Sequence, residues 1–281
     1  MEVTRSEAVL VTGASTGIGR RLTEYLAARG HFVYAGARKQ YDLAALDDIE
    51  NVQALRLDVT SAADIAAAVE VVSNARRGLY GLVNNAGVLT VGPVVGGNAT
   101  ELDLVMAVNA LGPYRITSAF APLVVKARGR IVMIGSVAGI LADENVSIYS
   151  MSKHALEALT DSLALEMGRV GVQVSVVEAS SVSTGISRNV FKRIGADPLV
   201  PDFSQYGEPD DIVAAAAHAL FGPSPKRRYL IVTSEALARR TIAKQIAQLV
   251  QLNEDHPHTY GREALIGLLD EALSHSRSRQ G

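Results

Sequence analysis

Short apolar runs rich in β-branched residues alternate along this chain with longer stretches of helical periodicity. The runs Ala8 to Thr12, Phe32 to Ala37, Val52 to Leu57, Gly81 to Asn84, Arg130 to Ile134, Val172 to Val177 and Tyr229 to Val232 predict strands. They read as continuous apolar runs rather than alternating ones, as expected of strands buried on both faces. Gly19 to Arg29, Ala62 to Ala75, Thr100 to Lys126, Ser150 to Arg169 and Pro209 to Phe221 predict the helices between them. Such alternation predicts right-handed βαβ units and an α/β fold, a parallel sheet with helices on both faces. Ser180 to Gly207 is irregular around Pro198 and Pro201, and after Ser234 two more helices, Glu235 to Leu252 and Gly261 to Leu273, form a C-terminal helical extension. No repeat or composition shift marks a boundary, so the expectation is a single domain over 1–281, with 185–208 as a lid over a substrate and 235–281 as the extension.

Composition narrows the function. At 281 residues and 48% hydrophobic content the chain can bury a large core. Its net charge of −2 is spread without a long basic or acidic block, which removes the electrostatic case for nucleic acid or an anionic membrane surface and leaves a small-molecule partner. The absence of cysteine excludes disulfides, thiol catalysis and cysteine-ligated zinc, and suits a reducing cytoplasm. No apolar run approaches the ~20 residues of a membrane span, and the first residues, MEVTRSEAVLV, lack the apolar region of a signal peptide. The expectation is a soluble cytoplasmic protein, with no metal.

In an open parallel sheet, ligands bind beyond the carboxyl ends of the strands, and polar or glycine-rich sequence collects at those ends here. The first run ends in TGASTGIG, whose Gly13, Gly17 and Gly19 let the backbone approach an anion at the start of a helix. The same loop alone could be a tight turn. The second run ends in AGARK, which offers no acid for a ribose hydroxyl but offers the Arg38 guanidinium for a phosphate. This favours NADP(H), with NAD(H) as the alternative. An ordinary surface arginine is the competing reading, since Ser15 puts no second base in the glycine loop. Asp58, ending the third run, is placed to accept from an adenine amine or to cap a helix, for which Thr60 or Ser61 is the better residue. The fourth run ends in NNAG, Asn84 to Gly87, turn chemistry that could also brace a dinucleotide.

The fifth run ends in IGS, and thirteen residues after its Ser136 comes Tyr149, followed by Lys153. A helix with an apolar face through Met151, Ala155, Leu156, Leu159 and Leu163 stacks Tyr149 and Lys153 one above the other. A lysine ammonium there favours the phenolate form and makes Tyr149 a usable acid/base near neutral pH. Ser136 could then hold a substrate oxygen by hydrogen bond.

Together, TGASTGIG, LDV, NNAG, the asparagine of VNALG, IGS and YSMSK resemble the short-chain dehydrogenase/reductase family over about Ala8 to Val232, with GLYGLVNNAG and VSVVE nearest its retinol, hydroxysteroid and 3-hydroxybutyrate dehydrogenase branch. The resemblance implies a Rossmann-like, doubly wound, seven-stranded sheet and an oxidoreductase that moves a hydride between a nicotinamide cofactor and a secondary alcohol or ketone. It implies a catalytic set in which Tyr149 transfers the proton, Ser136 positions the oxygen, Lys153 eases tyrosine ionisation and binds the nicotinamide ribose, and Asn109 holds a water. The cofactor would be held by Gly13, Ser15, Thr16, Gly17, Ile18 and Gly19, by Arg38, Asp58 and Val59, by Asn85, Ala86 and Gly87, by Tyr149 and Lys153, and by Val182 and Thr184. It also implies a homodimer or homotetramer built on the helices near 100–126 and 150–169. One departure stands out: Ala179 and Ser180 replace the family's Pro-Gly.

The competing class is a dinucleotide sensor or scaffold with the same fold and little or no turnover, which the altered Ala179-Ser180 segment would favour and the intact tetrad opposes. For the substrate, Leu89, Val137, Ile140, Leu141 and Phe191 suggest an apolar wall, and Tyr206 a residue at its mouth or in the lid. Arg188, Lys192 and Arg193 are either the solvated face of a short lid helix or receivers of a carboxylate or phosphate.

Overall fold

A computed structural model of the chain describes residues 7–180, 186–194 and 207–278. It divides into two compact units, Met1–Thr233 and Ser234–Gly281.

The first unit is built on seven parallel strands: β1 (Ala8–Val11), β2 (Phe32–Ala37), β3 (Val52–Arg56), β4 (Gly81–Asn84), β5 (Arg130–Ile134), β6 (Gln173–Ala179) and β7 (Arg228–Ile231). Their order in the sheet is β3-β2-β1-β4-β5-β6-β7. The helices are α1 (Gly17–Ala27), α2 (Gln40–Asp47), α3 (Ala62–Asn74), α4 (Ala99–Asn109), α5 (Leu111–Ala127), α6 (Ser147–Gly168), α7 (Ile186–Ile194) and α8 (Asp210–Phe221). All seven strands predicted from apolar runs form, because each run buries residues on both faces of the sheet. Leu10, Leu82, Ile131 and Val176 point to one face, where Ile65, Phe120 and Leu156 of α3, α5 and α6 cover them. Their chain neighbours Val9, Val83, Val132 and Val177 point to the other, under Leu22 and Leu26 of α1 and Ile212 and Leu220 of α8. The chain reverses its direction of travel across the sheet between β1 and β4, which opens a crevice at their carboxyl ends.

Three local expectations are corrected. The single helix foreseen over Thr100 to Lys126 is two, broken at Ala110 with φ −109° and ψ −57°. Pro113 has no N–H for the Asn109 carbonyl, which removes the hydrogen bond that would carry one helix into the next; Pro122 lies within α5 without ending it. The short helix α2 was not foreseen, although it buries Leu43 and Leu46. Met151, assigned to the apolar face of α6, is 53% exposed, because the helix buries Ser152, Lys153, Leu156 and Leu163 instead.

The second unit contains α9 (Glu235–Leu252) and α10 (Arg262–Ser278). Ser234 Oγ caps α9 by accepting from Leu237 N at 3.2 Å. The Asn253 side chain closes the connection between the two helices, donating to Tyr260 O at 2.9 Å and accepting from Tyr260 N at 2.8 Å.

Candidate active site

The crevice at the β1/β4 switch is a cavity of about 900 Å³. At one end it is lined by the glycine loop. Gly13 has φ +65°, and a Cβ there would stand 2.8 Å from Ala86 Cα, so only glycine lets this loop lie on the NNAG segment. The contact is stitched by Thr12, whose Oγ1 donates to Val83 O at 3.2 Å and accepts from the N–H groups of Asn85 and Ala86, each at 3.0 Å. Asn85 Nδ2 donates to Thr12 O at 2.8 Å and Gly13 O at 3.1 Å. The NNAG amide thus braces the glycine loop itself, and Thr12 is a site-building residue that the sequence reading passed over; its signal was a polar side chain ending an apolar strand. Gly19 faces Asn85 and the Gly13 carbonyl rather than the cavity. Helix α1 begins here with Thr16 as N-cap in extended backbone and no side-chain cap. Thr16, Gly17 and Ile18 all line the cavity, so the first amides of α1 and its positive dipole end face a site for an anion.

Arg38 and Lys39 follow β2 on the same rim, both exposed and both lining the cavity. Lys39, missed in the sequence although it directly follows Arg38, donates to Tyr41 OH at 3.1 Å. Arg38 Nη1 stands 3.8 Å from Asp58 Oδ2. The other Asp58 oxygen accepts from Thr60 N at 2.9 Å and Thr60 Oγ1 at 2.7 Å, while Ser61 caps α3. Burial pushes the Asp58 carboxyl up, but the Thr60 hydrogen bonds and the Arg38 and Arg56 charges outweigh it and hold it below the ordinary carboxylate value. Val59 and Gly87 also line this end.

The opposite wall carries Ser136, Tyr149 and Lys153. Lys153 is 6% exposed; its Nζ donates to Ile134 O at 2.8 Å and stands 5.7 Å from the centre of the Tyr149 ring. Ser136 Oγ accepts from Ala138 N at 3.1 Å, which aims the hydroxyl from the first turn after β5. The Asn109 amide is engaged by its neighbours. Its Oδ1 accepts from Val88 N at 2.8 Å, and its Nδ2 donates to Val88 O at 2.8 Å and Ser152 Oγ at 3.0 Å. The side chain is spent tying the segment after β4 to α6, and Asn109 does not line the cavity.

Next to Tyr149, the wall is apolar: Leu89, Val91 and Val190 are buried together, with Val146, Tyr149 and Ile194 packed against them. Val137 lines the cavity but Ile140 and Leu141 do not. Arg193 meets neither reading made of it, because its Nε lies 2.7 and 2.9 Å from the two Glu101 oxygens and its guanidinium also reaches Leu89 O. It latches α7 to α4, and its charge is already matched. Burial raises the Glu101 carboxyl, but the bond from Arg193 prevails and holds it low. Replacing Arg193 with Ala strands a carboxylate that is 5% exposed. The expected loss is about 2–4 kcal/mol of stability in urea unfolding, with Arg193→Lys intermediate. Lys192 is exposed at the cavity with Asn189. Val182, Thr184 and Tyr206, and the side chains of Arg188 and Phe191, lie outside the described residues. Ala179 pairs with Ile231 and Ser180 N donates to Ile231 O at 2.9 Å, so this pair continues the ladder between β6 and β7.

A parallel sheet with this strand order, an uncapped helix N-terminus at its switch point and a Ser-Tyr-Lys wall facing it defines a nicotinamide-dependent oxidoreductase of alcohols and carbonyls. Residues 7–195 match the family model described as short chain dehydrogenase, and the chain belongs to that family. It is 33% identical over 265 aligned positions to the mitochondrial D-beta-hydroxybutyrate dehydrogenase of Bos taurus, covering 80% of this chain and 76% of that one. The crystal structure of a short-chain dehydrogenase from Streptomyces avermitilis superposes with a TM-score of 0.76 at 28% identity, over 90% of this chain and 97% of the other. A short-chain dehydrogenase from Sphingobium yanoikuyae in complex with NADPH gives 0.71 at 29% identity, over 91% and 98%. Among the described residues, no helix is long and apolar enough to cross a membrane.

Proposed function

We propose that the protein interconverts a ketone with an apolar flank and the corresponding secondary alcohol, using NADP(H). The observation that carries this reading is one cavity with Ser136, Tyr149 and Lys153 on one wall and Arg38, Lys39 and the open start of α1 at the other end. The cradle fits a dinucleotide: Gly13 leaves no room for a Cβ, and the α1 amides lack a side-chain cap. Gly13, Ser15, Thr16, Gly17 and Ile18 would hold the pyrophosphate, Asp58 and Val59 the adenine, Asn85 to Gly87 and Lys153 the nicotinamide half, with Val182 and Thr184 at the carboxamide. Gly19 and Asn109 serve by position, the first by letting α1 approach Asn85 and the second through Val88 and Ser152. The nicotinamide supplies or accepts the hydride when bound.

Tyr149 gives its phenolic proton to the substrate oxygen as the carbonyl carbon is reduced, and takes it back in the reverse direction. Ser136 Oγ donates to that oxygen, and Lys153 holds a positive charge near the phenolate that results. The family resemblance implies that Asn109 would hold a water linking Lys153 to solvent. Leu89, Val137 and Val146 would face the apolar part of the substrate, and Asn189 and Lys192 of α7 would border it. Exposed Leu111 and Tyr114 on α5 and Met151 and Leu165 on α6 support a homodimer or homotetramer across these helices. The lack of cysteine supports a cytoplasmic enzyme.

The test is oxidation of NADPH by a panel of ketones, read at the nicotinamide absorbance; binding without turnover of any of them would overturn the enzyme reading. Cofactor choice is tested by Arg38→Asp, which puts a carboxylate where the 2′-phosphate would sit. NADP⁺ affinity is expected to fall about 10–100-fold while NAD⁺ affinity stays within a few-fold. An unchanged preference would remove Arg38 from the site.

A further inference from the structure

Beneath the turn that carries Ser136 lie two carboxyl groups that the reaction does not use. Glu178, in β6, is 1% exposed, and Glu157 stands two helical turns after Tyr149 on α6 with its side chain 12% exposed. Both converge on Gly135: a Cβ there would stand 2.7 Å from Glu178 Oε2 and 3.3 Å from Glu157 Oε1. Glu178 Oε2 accepts the Ser136 N–H at 3.2 Å. Glu157 Oε2 receives Arg228 Nη2 at 2.9 Å, and Arg228 in turn holds Asp161. That leaves one oxygen on each acid, Glu178 Oε1 and Glu157 Oε1, buried and without a hydrogen-bond partner. Two buried carboxylates facing one another would repel; a single proton held between them relieves the repulsion, gives a stranded oxygen a partner and leaves one negative charge opposite Arg228.

We propose that Glu178 and Glu157, joined by a shared proton under Gly135, are positioning residues that set the direction of the Ser136 hydroxyl. The Ser136 turn is clamped from two sides, by Lys153 Nζ on Ile134 O and by Glu178 on the Ser136 amide. Tyr149, Lys153 and Glu157 are successive members of one α6 face, so this face carries the proton donor and, through Glu178, the support for the group that holds the substrate oxygen. Glycine is required at 135 to admit the pair, and at Gly139 a Cβ would stand 3.1 Å from Glu157 Cγ. The charged groups facing the pair come from α6 and β7, namely Asp161, Arg228 and, on Ile134 O, Lys153. Burial first, then the shared hydrogen bond and charge of Glu157, push Glu178 up to about 9; Arg228 and the Ser136 amide oppose this more weakly. An acid raised in the folded state contributes stability that is complete below its unfolded value and is lost as pH climbs through the folded one. The pair should therefore hold its proton at neutral pH and release it toward pH 9.

The proposal rests on Ser136 as the residue that receives the substrate oxygen. Its test uses the full chain with NADPH and the best ketone from the panel. Glu178→Gln keeps an acceptor for Ser136 and a donor for Glu157, so kcat should stay within about threefold of wild type. Glu178→Ala should lower kcat about 100-fold while the NADPH dissociation constant, read by nicotinamide fluorescence, stays within about twofold. Gly135→Ala, which drives a methyl into the pair, should reproduce the Ala phenotype. A merely structural role predicts loss of cofactor binding together with kcat, or a Gln variant as damaged as Ala, and either result overturns the proposal. Independently of turnover, the Ser136 amide resonance of isotope-labelled protein should shift as pH passes through about 9 in wild type and not in Glu178→Gln. No inflection in wild type would overturn the shared proton, whereas an inflection with turnover indifferent to Ser136→Ala would overturn the assignment of Ser136 alone.

Discussion

Tyr149→Phe is expected to lower kcat for ketone reduction about 1,000-fold, because it deletes the phenolic proton that Tyr149 offers to the substrate and with it the general-acid contribution, typically 10²–10⁴-fold. The fold should not suffer. Tyr149 is half-buried against Leu89, Val91 and Val190, and phenylalanine keeps that packing. NADPH binding should also survive, because Arg38, Lys39 and the α1 amides lie at the other end of the cavity. Stopped-flow absorbance with saturating NADPH separates these effects: a large fall in kcat with an unchanged dissociation constant is expected. A variant that turns over at the wild-type rate would place the proton donor elsewhere.

Lys153→Met is the second large effect and should be broader. The ammonium is buried, donates to Ile134 O at 2.8 Å and stands 5.7 Å from the Tyr149 ring. Methionine fills similar space but leaves the Ile134 carbonyl without its donor, at a cost of about 1–3 kcal/mol. It also removes the positive charge that faces the phenolate as the proton leaves. We expect kcat to fall about 100–1,000-fold at neutral pH and cofactor binding to weaken as well, which distinguishes it from Tyr149→Phe. Calorimetric unfolding and NADPH titration of the two variants side by side check this difference. Equal cofactor affinities in the two would confine Lys153 to the proton-transfer step.

How much of this was legible in the sequence depended on whether an element's chemistry is local. The strands announced themselves because a strand covered on both faces is mostly apolar, so a run such as Ile131 to Ile134 can be read without knowing its neighbours. The glycine loop and the Tyr149-Lys153 pair were legible for a similar reason: turn geometry and helical spacing are properties of a few consecutive residues. What failed was whatever depended on a distant partner. Asn109 and Arg193 look like free polar groups in the sequence, yet one closes on Val88 and Ser152 and the other on Glu101. Met151 fits a helical apolar stripe, yet the stripe that is buried is set by the strands beneath it, and they select Lys153 and Leu156. Lys39 carries no local signal beyond its place after Arg38, since an exposed lysine after a strand is ordinary until the fold brings it to the cavity rim.

The amino-acid order by itself determined the α/β alternation, the parallel sheet, the anion-binding turn and the membership of Ser136, Tyr149 and Lys153 in one chemical set, since spacing and apolar periodicity act over short range. Only the tertiary structure decided which polar groups remain available to a ligand. Availability is what is left after every buried donor and acceptor has found a partner, and those partners lie far along the chain: Glu101 with Arg193, Thr12 with Ala86, Glu178 with the Ser136 amide.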